Sequence, residues 1–124
     1  SFLISCVQSL YYTIKKAILV KRRELENGII GVKAVDNVEI TGISKHTTER
    51  AIERGGTIQT LTDALINPLE VTNTKYDKDG LPSKQYRGAV STVVVNPDTG
   101  NVVSTNPTRR NIRKRHGVYK NETK

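Results

Sequence analysis

Two β-branched runs in the second half of the chain form its clearest hydrophobic pattern. Residues 89–95 (AVSTVVV) and 101–105 (NVVST) are rich in valine, and the segment NPDTG separates them at residues 96–100. β-Branched residues favour strands, whereas Asn, Pro, Asp and Gly favour turns. The sequence therefore predicts two antiparallel strands joined by a five-residue turn. Hydroxyl and amide side chains alternate with valines, which predicts one hydrogen-bonding face and one face in the core.

The first 25 residues have the spacing of an amphipathic helix. Apolar residues recur every three or four positions from residue 2 to residue 25, and basic residues are concentrated between Lys15 and Arg23. Asn27 and Gly28 predict the end of this helix. The favoured interpretation is a helix packed on the domain or on a partner, and the alternative is a basic helix on a membrane surface. The apolar run before Lys15 is too short to span a bilayer, which needs about 20 residues.

A short helix is predicted within GISKHTTERAIERGG, residues 42–56, with Ser44 as its cap and a glycine pair at its end. A helix advances by 100° per residue, so its side chains divide between two faces. One face carries His46, Arg50 and Glu53, with Arg54 at its margin. The other face carries Thr47, Thr48, Ala51 and Ile52. The weakly apolar second face predicts that this helix depends on its neighbours for stability.

The remaining segments complete a sequence of helices followed by strands. A second short helix is predicted from Thr57 to Asn67, and residues 32–40 are either a strand or an extended linker. Residues 69–74 suggest a strand, residues 77–80 a turn, and residues 83–87 the start of the central hairpin. This order predicts an α+β fold with helices packed on one face of a twisted antiparallel sheet of about four strands.

Positive charge is concentrated at the two ends of the chain. The 124 residues have a formal net charge of +8, to which residues 1–26 contribute +3, residues 27–108 contribute −1 and residues 109–124 contribute +6. The basic run RRNIRKRH at residues 109–116 is typical of a protein that binds a polyanion, most often nucleic acid. An acidic protein partner and a merely solvated tail are the alternatives.

Composition excludes several functional classes. One cysteine, Cys6, cannot form an intramolecular disulfide, and two histidines with one cysteine do not predict a closed zinc site or any cofactor. The chain has no Gly-rich phosphate loop, no GxSxG motif and no zinc-deaminase signature. It also has no methionine and no secretory signal, so we interpret it as the C-terminal piece of a longer polypeptide.

Two groups of residues have the chemistry of a phosphodiester site. His46 can accept a proton near neutral pH, and the guanidinium of Arg50 lies four residues later on the same predicted face. The ordinary alternative is a helix surface with ion pairs between Lys45 and Glu49 and between Arg50 and Glu53. The second group lies where the strands that begin near Lys84 and end near Thr108 are expected to meet. Its members are Lys84, Tyr86, Arg87, Ser104, Thr105, Asn106 and Thr108.

The second group has a structural alternative too, because charged residues commonly protect a sheet edge from strand addition. Taken together, the two groups supply the parts that RNA cleavage without a metal requires. These parts are a base for the 2′-hydroxyl proton, cations and hydrogen-bond donors for the charged phosphorane, and a proton source for the leaving oxygen.

In motif order, the chain resembles the ribonuclease toxin domains at the C-termini of bacterial polymorphic toxins. These domains belong to the superfamily that joins barnase, EndoU, colicin D and RelE folds. The matching segments are HTTERAIERGG, ALINPLEV and KQYRGAVSTVVVNPDTGNVVSTNPT, which occur in that order within residues 43–108. The resemblance implies helices followed by a four-stranded twisted antiparallel sheet, and cleavage of tRNA or other RNA without a metal.

The resemblance also implies which residues act. The catalytic set carried over from the family pattern is His46, Arg50, Arg87, Ser104 and Thr108. Threonine is common in the family where Ser104 stands, so this position departs from the pattern. The accompanying RNA-binding set is Lys45, Arg54, Lys84, Tyr86, Asn106, Arg109 and Arg110.

We therefore predict a metal-independent endoribonuclease toxin domain that cleaves RNA, with tRNA as the expected substrate, and leaves a cyclic phosphate. The predicted divisions are residues 1–30 for delivery or packing, 31–108 for the toxin domain, and 109–124 for a basic tail. By analogy, such toxins are secreted or displayed at the cell surface as part of a larger polypeptide, act in the target-cell cytoplasm, and are neutralised by an immunity protein, here expected to be acidic.

Two alternatives to a nuclease remain at this point. The first is a non-catalytic RNA-binding or protein-interaction module of the same fold. The second is a membrane-acting fragment driven by the N-terminal helix. The sequence predicts no stable membrane insertion, but it allows a transient contact of that helix with a membrane or with a receptor used for uptake.

Overall fold

The computed structural model describes residues 2–118 and has an α+β fold, as predicted. The N-terminal half is mostly helical. It contains α1 (Phe2–Ile29), β1 (Gly42–Ile43), α2 (Lys45–Glu53) and α3 (Ile58–Ile66). The C-terminal half is mostly strand. It contains β2 (Glu70–Val71), β3 (Lys75–Tyr76), β4 (Pro82–Arg87), β5 (Ser91–Val95), β6 (Asn101–Pro107) and the short helix α4 (Arg110–Arg115).

The sheet is mixed and has six strands, in the order β1-β6-β5-β4-β2, with β3 paired to β4 outside this path. All pairs are antiparallel except β1 with β6, which is parallel. The prediction of about four antiparallel strands therefore needs correction. Each of β1, β2 and β3 is only two residues long. Strand β2 lies within the strand predicted at residues 69–74, whereas β1 and β3 are too short to have a hydrophobic period and are defined only by the tertiary structure.

The central hairpin formed by β5 and β6 is confirmed. Asn96 and Gly100 close its turn through the bonds Asn96 N to Asn101 O (2.9 Å) and Gly100 N to Asn96 O (2.8 Å). The first strand begins at Ser91 rather than at residue 89, because Gly88 N donates to Ser91 O (2.9 Å) and closes a tight turn after β4. A bulge at Val94/Val95 leaves Val103 as the extra residue of β6.

The core lies between the sheet and helices α2 and α3, and α1 packs against both of these helices. It is largely aliphatic, with one tyrosine. Its members are Leu25, Ile29, Ala34, Ile40, Ala51, Leu61, Ala64, Leu65, Tyr86, Val93, Val95 and Val102. A Cβ at Gly88 would lie 2.8 Å from the backbone Cα of Ala64, so glycine permits the close approach of α3 to the β4–β5 turn.

Both short central helices are confirmed, and their caps explain their boundaries. Ser44 accepts a hydrogen bond from Thr47 N (3.1 Å) at the start of α2. Thr57 and Thr60 form a reciprocal capping box at the start of α3, which ends at Asn67. The buried face of α2 consists of Thr47, Thr48 and Ala51, as its periodicity predicts. The charged face of α2, which includes His46, consequently points away from the core.

Helix α1 ends at Ile29, one residue beyond the stop predicted at Asn27 and Gly28. Ile29 is fully buried. A Cβ at Gly28 would lie 2.8 Å from the side chain of Ile58, so this glycine allows α3 to approach and does not stop the helix. Residues 32–40 form a tight loop with an isolated bridge between Lys33 and Glu39.

The earlier turns of α1 extend beyond the core and expose apolar side chains. The exposed residues are Val7, Leu10, Tyr11, Tyr12, Ile14, Ile18 and Val20. Within residues 2–118, no helix has both the length and the apolar character needed to cross a lipid bilayer.

The basic segment after Thr108 is folded as far as residue 118. Helix α4 buries Ile112 and Arg113, and Arg115 and His116 bind Glu70 on β2. The described part of the basic segment is therefore packed on the fold and is not a merely solvated tail. The last six residues of the predicted tail, 119–124, lie outside the described part of the chain.

Candidate functional site

Helix α2 lies along the part of β6 that has no strand partner on its outer edge. Strand β1 pairs with β6 only at Asn101 and Val102. Beyond that point, Thr47 Oγ1 donates to Val103 O (3.4 Å) and Arg54 Nη1 donates to Thr105 O (2.8 Å). Side chains of α2 thus satisfy main-chain carbonyls that would otherwise be open for strand addition. These bonds fix the charged face of α2 beside β6.

The contact between α2 and β6 leaves a shallow depression of about 200 Å³, which we call the His46 depression. It is lined by His46, Thr47, Arg50, Arg54, Val103, Ser104 and Thr105. The side chains of His46 and Arg50 are exposed, and neither side chain makes a hydrogen bond or ion pair with another described residue. Arg54 is anchored, because its Nη1 also donates to Asn106 Oδ1 (2.8 Å). The depression therefore combines a free imidazole, a free guanidinium and a fixed guanidinium.

A second polar cavity of about 460 Å³ lies where α4 meets the end of β6, and we call it the Arg109 cavity. It is lined by Gln85, Arg87, Thr92, Asn106, Pro107, Arg109, Asn111, Ile112 and Arg115. Strand side chains alternate between faces, so Arg87, Thr92 and Asn106, which are paired across three strands, lie on one face. Tyr86, Val93 and Thr105 occupy the opposite, core-facing side. The Arg109 cavity is consequently on the face of the sheet opposite α2 and α3.

Glu70 binds two of the arginines that line the Arg109 cavity. Its carboxylate accepts from Arg87 Nη1 (2.6 Å) and Arg115 Nη2 (2.8 Å), and His116 Nε2 lies 2.7 Å from Oε2. Hydrogen bonds from His116, Arg87 and Arg115 lower the pKa of Glu70 to about 2. Glu70 is therefore ionised throughout the neutral range. One carboxylate joins β2, β4 and α4 in this way.

Two buried hydroxyls lie behind the Arg109 cavity. Thr92 and Thr108 are 7% and 5% exposed, and their Oγ1 atoms are 2.9 Å apart. Thr108 N donates to Val90 O (2.9 Å), which fixes the chain as it leaves β6. Thr108, one of the five predicted catalytic residues, therefore bonds a residue that lines the cavity but does not line the cavity itself, and it has little exposed surface.

The structure divides the predicted catalytic residues between the two cavities. His46, Arg50 and Ser104 line the His46 depression, whereas Arg87 lines the Arg109 cavity and Thr108 lies behind it. Asn106 connects the two, because it lines the Arg109 cavity, accepts from Arg54 and donates from Nδ2 to Ser104 Oγ (3.3 Å). The residues that were predicted to form one catalytic site therefore belong to two cavities beside β6.

The predicted RNA-binding residues are also distributed. Arg54 lines the first cavity, and Asn106 and Arg109 line the second. Lys45 and Arg110 are exposed but line neither of these two cavities.

Lys84 and Tyr86 face the other way, because they alternate with Gln85 and Arg87 along β4. Tyr86 is fully buried, and its hydroxyl donates to Asp36 Oδ1 (2.8 Å), while Lys84 forms an ion pair with the same carboxylate. Burial acts to raise the pKa of Asp36, but hydrogen bonds from Lys84 and Tyr86 outweigh it and lower that pKa. Burial and the bond to Asp36 both raise the pKa of Tyr86. Neither residue belongs to the exposed polar surface, so we exclude both from the site.

The expected meeting of the Lys84 and Thr108 strand ends is wrong. Strand β5 lies between β4 and β6, and in the antiparallel register Lys84 pairs with Val95 whereas Arg87 pairs with Thr92. Only the Arg87 end of β4 is therefore beside the end of β6. The prediction placed β4 and β6 side by side, whereas each of them pairs with β5.

Sequence reasoning did not identify several residues of these cavities. The missed lining residues are Gln85, Thr92, Asn111 and Arg115, and the missed residues that bond to the lining or to each other are Glu70 and His116. The alternation along residues 91–95 and the charge run at residues 109–116 were the available signals for Thr92, Arg115 and His116. No local signal marks Glu70, because it is 45 residues from Arg115 in the chain and 46 from His116.

A third cavity of about 440 Å³ lies between α1 and the turn that joins α2 to α3. Its only charged lining residues are Lys21 and Glu24, which have opposite signs. It is mainly apolar and offers no net attraction to a polyanion, so we do not assign it to the site.

Within residues 2–118, no group of three or more His, Cys, Asp or Glu side chains is arranged to hold a metal ion. Comparison of the chain with protein-family models, with curated proteins and with solved structures gave no match.

Proposed function

We propose that the protein is a metal-independent endoribonuclease, and that the His46 depression holds the phosphodiester to be cleaved. One observation carries this proposal: His46 and Arg50 of α2 and its C-cap residue Arg54 line the same depression as Ser104 of β6, about 50 residues later in the chain. A base, two cations and a hydroxyl at one concave surface are the groups that cleavage next to a 2′-hydroxyl requires.

In the proposed reaction, the imidazole of His46 accepts the proton of the 2′-hydroxyl as that oxygen attacks the adjacent phosphorus. Arg50 and Arg54 neutralise the charge that develops on the phosphorane oxygens, and Ser104 Oγ donates a hydrogen bond to them. Arg54 is suited to this role because only its Nη1 is used by Thr105 O and Asn106 Oδ1, so Nε and Nη2 are available. The 5′ oxygen takes a proton from solvent as it leaves, the protonated His46 then releases its proton to solvent, and a 2′,3′-cyclic phosphate remains.

The motif order described above supports an extension of this proposal to a toxin domain. In that extension the fold is a member of the barnase, EndoU, colicin and RelE superfamily, with β4, β5, β6 and β2 as its four-stranded sheet. The substrate is tRNA, the domain acts in the cytoplasm of a competing bacterial cell after delivery as part of a larger polypeptide, and an acidic immunity protein neutralises it. The exposed cations of α2 and α4 are the surface that such a partner would cover.

The test is incubation of the full chain with total tRNA in the presence of EDTA, with 2′,3′-cyclic phosphate ends measured by mass spectrometry. His46→Ala is expected to lower the cleavage rate by about 100-fold to 10,000-fold, the range for one acid-base group. His46 is exposed and has no described partner, so circular dichroism should show an unchanged fold.

His116→Ala is the matched control, since His116 is the only other histidine in the chain. It should retain most of the cleavage rate. If His116→Ala loses activity and His46→Ala keeps full activity, His116 is the base, and the assignment of His46 is refuted. Intact RNA with the unmodified chain would refute the nuclease proposal itself.

A non-catalytic RNA-binding module is the second candidate, and the three guanidinium groups of the Arg109 cavity favour it. This candidate predicts RNA binding that weakens steeply with salt, without any cleavage. Filter binding at several salt concentrations, done in parallel with the cleavage assay, separates the two functions.

A further inference from the structure

The Arg109 cavity has more positive charge than its contacts with the protein neutralise. Arg87, Arg109 and Arg115 line it, and among residues 2–118 only the carboxylate of Glu70 binds any of them. Arg87 and Arg115 share this one carboxylate, whereas the exposed side chain of Arg109 makes no hydrogen bond or ion pair with another described residue. The cavity therefore has a net charge of about +2 from its guanidinium groups and Glu70 alone, which favours an anion.

The walls of the cavity supply neutral hydrogen-bonding groups as well. Gln85, Asn106 and Asn111 contribute amides, and Thr92 contributes a hydroxyl. Planar guanidinium groups pair well with phosphate oxygens, and side-chain amides and hydroxyls commonly complete such sites. A volume of about 460 Å³ accommodates a phosphate together with part of the adjoining nucleotide.

Asn106 makes the two cavities neighbours. Its amide is held by Arg54 on the side of the His46 depression, and the same residue lines the Arg109 cavity. A strand that crosses β6 at Asn106 would consequently meet cationic groups on both sides of that strand. The two cavities have no lining residue in common, so we treat them as separate phosphate positions.

We infer that the Arg109 cavity binds a second phosphate of the same RNA strand, separate from the phosphate that is cleaved at the His46 depression. This inference rests on the proposed function, because that function identifies the bound strand as RNA. It defines the substrate class as an oligonucleotide that spans both cavities, and it assigns Arg109 the role of a binding residue that takes no part in the chemical step.

The first experiment measures binding without cleavage. Fluorescence anisotropy with fully 2′-deoxy oligonucleotides of two and eight nucleotides avoids the reaction, because these strands lack the attacking hydroxyl. The unmodified chain should bind the longer strand more tightly, and Arg109→Gln should weaken that binding about tenfold, the effect of losing one charge-assisted contact. The slope of log K against log salt concentration should also become less steep by about 0.7, which is the value for one single-stranded phosphate.

Arg23→Gln is the matched control, because Arg23 is an exposed arginine of α1 without a described partner and outside both cavities. It should change the affinity for the longer strand less than twofold. Arg109→Glu, which reverses the charge, should weaken binding further than Arg109→Gln. Melting temperatures within about 2 °C of the unmodified chain establish that these exposed substitutions leave the fold intact.

Equal affinities of Arg109→Gln and Arg23→Gln for the longer strand would overturn the inference. A phospholipid headgroup presents the same phosphodiester chemistry, so vesicles that contain phosphatidylglycerol form the second arm. A specific effect of Arg109→Gln on vesicle binding, without one on the oligonucleotide, would also overturn it.

The two proposals can fail separately. Cleavage of tRNA with no specific effect of Arg109→Gln on strand binding would leave the nuclease function and refute the second phosphate site. Arg109-dependent strand binding without cleavage would retain the phosphate site and refute the nuclease.

Discussion

The carboxylate of Glu70 is expected to stabilise the fold in a pH-dependent way, and Glu70→Gln tests this directly. Its pKa falls from 4.5 to about 2, because the folded chain places His116, Arg87 and Arg115 around it. At 1.36 kcal/mol for each pKa unit, this lowering corresponds to about 3 kcal/mol as an upper limit. The side chain of Arg115 is 55% exposed, and solvent screening weakens such pairs. We therefore expect a loss of about 1 to 2 kcal/mol for Glu70→Gln at pH 7.

The direction of the pH dependence follows from the lowered pKa. A carboxyl whose pKa is lower in the folded state stabilises that state fully above its unfolded value of 4.5. This contribution decreases as the pH falls from about 5 towards 2, because protonation then favours the unfolded chain. At pH 3 the difference between the unmodified chain and Glu70→Gln should be less than half of its value at pH 7.

Urea denaturation at pH 7 and at pH 3, followed by circular dichroism, measures both differences. Glu53→Gln is the control, because Glu53 is exposed and has no ion pair with another described residue. It should change the free energy of unfolding by less than about 0.5 kcal/mol at either pH. An unchanged stability of Glu70→Gln at pH 7, or the same loss at both pH values, would refute the proposed role of the carboxylate.

Two further predictions concern the elements that position the cavities. Ser44→Ala removes the cap of α2 and should reduce stability by about 1 kcal/mol in urea denaturation, whereas Ser44→Asp, which can also cap, should restore most of it. Gly88→Ala places a Cβ 2.8 Å from the Cα of Ala64 and should reduce stability by about 1 to 3 kcal/mol; a neutral result would mean that α3 shifts freely away from the β4–β5 turn.

Comparison of the sequence with the structure shows which signals were reliable. The hairpin of β5 and β6 was predicted because valine-rich runs and an NPDTG turn specify the pairing locally. Helices α2 and α3 were predicted because Ser44, Thr57 and Asn67 cap them, and caps act within a few residues. In contrast, Gly28 lies inside α1, because the burial of Ile29 outweighs the low helix propensity of glycine.

The candidate site was predictable in its residue types but only partly in its arrangement. Helical periodicity placed His46 and Arg50 on one exposed face, and the structure retains this face beside Ser104. The strand period of two, applied to β4, would have separated Arg87 from Tyr86, yet the prediction grouped them. Whether Arg87 and His46 lie in one site depends on the order of the strands in the sheet. Local sequence patterns do not specify that order.

The sequence by itself determined the local elements of this protein: its caps, its turns, its charged helix face and its central hairpin. Only the tertiary structure decided that α2 lies along the open edge of β6, that Glu70 binds Arg115 and His116 across about 45 residues, and that two cavities flank Asn106. The physical reason is the distance along the chain over which each kind of interaction acts. Propensity, periodicity and capping act over a few residues, whereas strand order and long-range ion pairs depend on how the whole chain buries its apolar surface.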